Sequence, residues 1–211
     1  MAQFFQIHPE HPQQRLIRQA VEVLAGGGLL IYPTDSSYAL GCQIGNKEAM
    51  ERIRRIRRVD DKHHFTLVCR DLSEITTYAK ISNPQFRLLK SLTPGPYTFI
   101  CQATKQVPKR LMHVKRKTIG IRVPDNRIAQ ALLAELNEPI MSSTLILPGD
   151  EYPLSDPYDM KDLLSHAVDL IIDGGYCGLE PTTVIDIEDE DQAPIVARQG
   201  KGDVVFLEQA S

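Results

Sequence analysis

The sequence predicts an α/β fold, a single-domain open twisted sheet flanked by helices, on three observations. A helical apolar stripe runs into three glycines and then a buried strand. Short strand-like and helical segments alternate after it, and no linker divides the 211 residues, a length that supports one sizeable core.

Leu16, Ile17, Ala20, Val21 and Leu24 recur at i, i+1, i+4, i+5 and i+8, which lays one apolar stripe along a helix. Gly26, Gly27 and Gly28 end it, because glycine tolerates the left-handed backbone of a helix terminus. Leu29-Leu30-Ile31-Tyr32 then reads as a buried strand. A second helix over 47–58 takes Asn46 as its cap and Met50, Ile53 and Ile56 as its inner face, and its other faces are rich in arginine. Further strands are predicted over 65–69, 98–101, 118–123, 140–143, 170–172, 184–187 and 195–197, with helices near 83–92, 127–136 and 159–164. Segment 147–157, with Pro148, Gly149, Pro153 and Pro157 among acids, is a surface loop. Residues 1–203 make the domain and 204–211 a short tail. There is no internal repeat, heptad or low-complexity tract to support a partner-binding scaffold.

Apolar residues at 42% and charged residues at 24% belong to a packed globular protein and exclude a disordered or fibrous one. Met1-Ala2-Gln3-Phe4-Phe5 lacks the basic end and apolar core of a signal peptide, and no run reaches about 18 apolar residues. A cytoplasmic protein without a membrane span is expected. Cys42, Cys69, Cys101 and Cys177 lie far apart, so they are read as reduced, buried small hydrophobes rather than a metal or redox set. No histidine and carboxylate set has metal-ligand spacing either; no cofactor is expected to be tightly bound, and any magnesium would arrive with the phosphates of a ligand.

The net charge of -3 hides an asymmetry. Residues 52–122 hold 17 Lys and Arg against Asp60, Asp61, Asp71 and Glu74, a net +13, which leaves -16 elsewhere. Gathered on one face, Arg52, Arg54, Lys109, Arg110, Lys115 and Lys117 would attract a polyanion such as duplex RNA, tRNA or rRNA. The alternative is that acids close in space offset them as solvated faces.

The segment with most chemistry is Pro33-Thr34-Asp35-Ser36-Ser37-Tyr38-Ala39-Leu40-Gly41, which follows a buried strand and so places hydroxyls at the carboxyl edge of the sheet, where open α/β sheets bind ligands. As bare structure it needs only to be a turn. It resembles the Pro-Thr-Asp/Glu-x-x-Tyr/Phe-Gly-x-Gly signature of the YrdC/YciO family. Pro94-Gly95-Pro96-Tyr97-Thr98, Arg122-Val123-Pro124, Thr182-Thr183-Val184-Ile185-Asp186 and Arg198-Gln199-Gly200 are similar to four further family segments, in the family's order. The resemblance covers about 20–203 and is nearest to the YciO branch.

That resemblance implies a threonylcarbamoyl-AMP synthase-like protein that binds ATP, threonine and bicarbonate, releases pyrophosphate and supplies the tRNA modification t6A. It implies threonine contacts from Thr34, Arg122, Ser142 and Thr182 and nucleotide contacts from Arg55, Arg57, Thr144 and Arg198. Longer relatives carry an extra carboxyl-terminal domain, so the resemblance is to the short form. Two departures imply weakened activity. Where the synthases have Lys-x-Arg this chain has Arg55-Ile56-Arg57, and where they have Ser-x-Asn it has Thr144-Leu145-Ile146, whose isoleucine makes no hydrogen bond. His63 and His64 are candidates for phosphate contact or proton transfer, or else exposed loop residues. The alternative function is a structured-RNA module without efficient catalysis, compatible with shape and phosphate recognition and with the absence of RRM and KH signatures.

Overall fold

The stripe expected on the first helix is buried as the spacing requires. Helix α1 (Gln14–Ala25) sinks Ile17, Ala20 and Leu24, and Gly26 caps it. It packs with α5 (Arg127–Leu136), which buries Ile128, Ala129, Leu132 and Leu133, on one face of the sheet. Each fully buried Leu or Ile side chain among these contributes about 1.5–3 kcal/mol. The opposite face is covered by α2 (Lys47–Arg57), α3 (Leu72–Tyr78), α4 (Asn83–Leu92) and α6 (Pro157–Leu164), through Met50, Ile53, Ile75, Leu89, Met160 and Leu164. Asn46 caps α2 as expected, its Oδ1 accepting from Ala49 N at 3.0 Å.

The strands are β1 (Gln3–Gln6), β2 (Leu30–Tyr32), β3 (Ala39–Gln43), β4 (Thr66–Val68), β5 (Tyr97–Gln102), β6 (Thr118–Arg122), β7 (Ile140–Thr144), β8 (Leu170–Asp173), β9 (Thr183–Asp186) and β10 (Ile195–Arg198). They form one mixed sheet in the order β1-β8-β2-β3-β7-β4-β6-β5-β9-β10. The chain is thus a single α/β domain of the predicted class. Parallel pairs are β1/β8, β2/β8, β4/β6 and β5/β9; the other five are antiparallel.

This computed structural model describes residues 1–60 and 63–205. Asp61 and Lys62, and residues 206–211 of the expected tail, lie outside the described residues. Among the described residues no helix is long and apolar enough to cross a membrane, and all four cysteines are free and buried.

Candidate functional site

Strand β6 reads Thr118-Ile119-Gly120-Ile121-Arg122, and its pleat sends the two isoleucines to the α2 face and the other three to the α1 face. Register carries the alternation across neighbours. Gly120 stands opposite Thr66 of β4 and Ile100 of β5, Thr66 opposite Ser142 of β7, and Thr98 of β5 opposite Val184 of β9. These residues, small or polar apart from Ile100 and Val184, floor a cleft of about 550 Å³. Its origin is a missing cover. The core shared with α1 and α5 takes in Leu30, Tyr32, Ala39, Val68, Ile140, Leu170 and Ile172; the cleft begins at its edge, at Ala39 and Val68, and no residue of those two helices lines it.

Loop 33–38 walls one end. Thr34 Oγ1 accepts from Ser36 N and Ser37 N, both at 3.2 Å, and donates to Ser37 O at 2.6 Å, which folds the loop on itself. Arg122 pairs with Asp35 and donates to Ser36 Oγ at 3.2 Å. The two charged side chains are only 9% and 10% exposed, and among the described residues Arg122 Nε and Asp35 Oδ2 have no hydrogen-bond partner. Ser142 donates to Leu40 O at 3.1 Å and accepts from the Tyr32 hydroxyl at 2.9 Å; burial pushes that phenol up to about 12.

At the other end Thr182 Oγ1 lies 2.9 Å from Thr98 Oγ1, and Arg198 donates to Thr182 O at 2.9 Å. Where β4 begins and β7 ends, Arg57 donates to Ser143 Oγ at 2.6 Å and lies 3.1 Å from His63 Nε2. Burial lowers the pKa of both Arg57 and Arg198. Among the described residues neither has a carboxylate within ion-pair distance. His63 is lowered to about 4, first by burial and then by Arg57, His64 and Arg54, so it is neutral at pH 7. His64 and His113 stack at 5.0 Å at the rim.

The structure therefore brings Thr34, Arg57, Arg122, Ser142, Thr144, Thr182 and Arg198 to one cleft, with Ile146 beside them. Arg55 is not among the lining residues; it is exposed, with Nε on Glu51 O at 3.4 Å. The helical period explains the split. Arg57 is one turn beyond the buried Ile53, whereas Arg55 is turned about 200° from Ile53.

The basic segment is not one uncompensated field. Arg52 pairs with Asp169 at 2.6 Å, Arg54 with Glu51, and Arg116 with Asp186 and Glu188, so acids of the negative remainder neutralise it locally. Lys109, Arg110, Lys115 and Lys117 are exposed on a segment whose Leu111, His113 and Arg116 line the cleft. Sequence reasoning missed Asp35, Thr66, Thr98, Gly120 and Ser143 as site residues. For Thr66, Thr98 and Gly120 the signal was the period-2 alternation of small polar with large apolar residues in β4, β5 and β6.

Residues 22–200 match the Sua5/YciO/YrdC family, described as telomere recombination. The chain belongs to that family. It is 61% identical over 204 residues to the uncharacterized protein YciO of Escherichia coli K12, covering 97% of this chain and 98% of that protein. The crystal structure of E. coli YciO superposes with a TM-score of 0.92 at 60% identity over 97% of this chain and 98% of the other. More distant is the threonylcarbamoyl-AMP synthase of Vibrio vulnificus, 27% identical over 161 residues, 75% of this chain and 86% of the synthase. P. abyssi Sua5 complexed with L-threonine shares the fold of the Sua5/YciO/YrdC family member described above at a TM-score of 0.84 and 24% identity, over 93% of this chain and 57% of Sua5.

Proposed function

We propose that the cleft is the site of an adenylate-forming reaction of the threonylcarbamoyl-AMP synthase type, using ATP, threonine and bicarbonate, running slowly and feeding the t6A modification of tRNA. The observation that carries it is the pair Arg57, half-buried, and Arg198, more exposed, two guanidiniums whose pKa burial lowers and which have no carboxylate counter-ion among the described residues, on separate walls of one cleft. Withdrawing a cation from water without a counter-ion is costly, and a polyphosphate supplies the missing charge. Family membership, a relative named threonylcarbamoyl-AMP synthase and a Sua5 structure holding L-threonine support the same reading.

In this reading Arg57, Thr144 and Arg198 hold the nucleotide, and Thr34, Arg122, Ser142 and Thr182 hold threonine. A carbamate oxygen attacks the α-phosphate, pyrophosphate leaves, and the fixed cations stabilise charge gathering on the phosphate oxygens. Magnesium comes in on the phosphates. Two features slow the reaction. Arg55 points away, so one cation of the Lys-x-Arg pair is not replaced, and Ile146 lines the cleft without a side-chain donor.

The test is pyrophosphate release with ATP, threonine and bicarbonate by wild type, Ile146→Asn and Arg122→Ala. A gain with the first substitution and a loss with the second support a weakened synthase. No binding of ATP or threonine by any variant, with duplex RNA still bound, transfers the function to an RNA module whose contacts would be Lys109, Arg110, Lys115 and Lys117.

A further inference from the structure

Arg57, Ser143 and His63 close a triangle: Arg57 to Ser143 Oγ at 2.6 Å, Arg57 to His63 Nε2 at 3.1 Å, and His63 Nε2 to Ser143 Oγ at 3.0 Å. Arginine only donates, so Nε2 accepts and the ring proton sits on Nδ1. The imidazole is braced by the buried Phe65, edge-on at 5.3 Å and 84°. Phe65 in turn carries the Arg54 guanidinium over its ring at 5.4 Å.

What holds Arg57 is thus a hydroxyl and a neutral ring. A carboxylate in the place of His63 would fix the guanidinium as firmly and cancel its charge. An imidazole fixes it and leaves the whole charge for the cleft. Among the described residues, the charged and titratable groups around the ring are Arg57, His64 and Arg54, which disfavour a second proton, and Asp60, which favours one; Ser143 and Phe65 are uncharged.

We infer that His63 is a positioning residue, which pins Arg57 for a phosphate-bearing ligand without neutralising it. This deepens the function proposed above and rests on the cleft taking a polyanion. Nothing in the chemistry of Arg57 demands a histidine; any neutral acceptor that reaches the same point would serve, and an anionic one would not.

The experiment is calorimetric titration of Mg-ATP, and separately of inorganic pyrophosphate, into wild type, His63→Gln, His63→Ala and His63→Glu at pH 7. A thermal melt of each variant checks folding. Gln presents a neutral acceptor and should bind within about threefold of wild type. Ala should lose about tenfold, the worth of one hydrogen bond to a charged group. Glu should lose at least as much while melting no lower than Gln. If Ala fails to fold, the Gln and Glu pair decides: equal affinities overturn the inference, because a merely structural role does not distinguish the charge of the acceptor. Wild-type binding with all three variants unchanged overturns it alone. No binding by wild type overturns the polyanion cleft, and this inference with it.

Discussion

The ring of Tyr32 lies where a side chain at Gly41 would begin: a Cβ there would stand 2.7 Å from Tyr32 Cε1 and 2.9 Å from Ile140 Cγ2. Gly41 is paired with Leu30 of β2 on one side and Ser142 of β7 on the other. Bare backbone at that point lets the ring cross β3, so its hydroxyl donates to Ser142 Oγ at 2.9 Å. Ser142 is left with its own proton on Leu40 O, and a hydroxyl on the cleft floor has a fixed direction.

Gly41→Ala should therefore cost about 1–3 kcal/mol, the usual penalty of overpacking a closed core. Tyr32→Phe, which removes one neutral hydrogen bond and no volume, should cost about 0.5–1.5 kcal/mol. Urea unfolding reads both. Equal midpoints for wild type and Gly41→Ala would mean that the ring moves aside freely.

Asp35 and Arg122 predict a coupling. Asp35→Ala strands a guanidinium whose side chain is 9% exposed, and breaking such a pair from one side typically costs about 3–5 kcal/mol. The double replacement Asp35→Ala with Arg122→Ala should cost less than the sum of the single ones, because no uncompensated charge is left. Additive losses in a double-mutant cycle would show that the pair is not coupled.

Gly120 separates stability from binding. A Cβ there would lie 3.4 Å from Thr66 Oγ1 and 3.5 Å from Thr98 Cγ2, ordinary contacts on the cleft floor. Valine suits a strand, so Gly120→Val should change stability by less than about 1 kcal/mol. Its methyls enter the space a ligand needs, and ATP affinity should fall about tenfold or more, by loss of contacts and overlap. Calorimetry and urea unfolding on one sample decide it, and unchanged affinity would place the ligand elsewhere.

The helices that carry a clear 3.6-residue stripe were legible in the sequence: α1 by Ile17, Ala20 and Leu24, and α2 by its Asn46 cap and Ile53. Three elements were not. β1 is four residues, Gln-Phe-Phe-Gln, at a sheet edge, with no pattern long enough to read. α3 is seven residues, two turns fixed by the Asp71 cap on Glu74 N at 2.9 Å. β3 hides within the hydroxyl-rich segment because its first four residues are all buried, which erases the polar and apolar alternation. For the site, the resemblance of the ordered motifs to the family brought Thr34, Arg122, Ser142, Thr182 and Arg198 to attention. The Asp35 partner of Arg122 and the Ser143 partner of Arg57 depend on contacts across 87 and 86 residues of chain, which no local pattern encodes. The helical phase of Arg55 was readable from Ile53, two positions away, and its outward direction follows from that spacing alone.

The last prediction concerns acid. Folded His63 takes its proton only near pH 4, against an ordinary 6.5, because burial and the Arg57 charge oppose it. An unfolded chain takes that proton up first. Between those two values the unfolded state holds more protons, so stability rises with pH across the window and falls as the medium is acidified through it. Above about pH 6.5 both states are neutral at this ring and the contribution is flat. His64 is lowered as well, by burial, His113 and Arg116, and adds a slope of the same sign. Urea midpoints from about pH 4 to about pH 7 should therefore climb more steeply in wild type than in His63→Gln, and least in His63→Gln with His64→Gln. The three curves should run parallel above the window, where neither ring titrates. In the acid limb the second proton turns Nε2 from acceptor to donor, so it faces Arg57 with no lone pair and the 3.1 Å contact is lost. Parallel curves for wild type and His63→Gln throughout would mean that His63 is not held neutral in the folded protein, and that the triangle with Arg57 and Ser143 does not persist in solution.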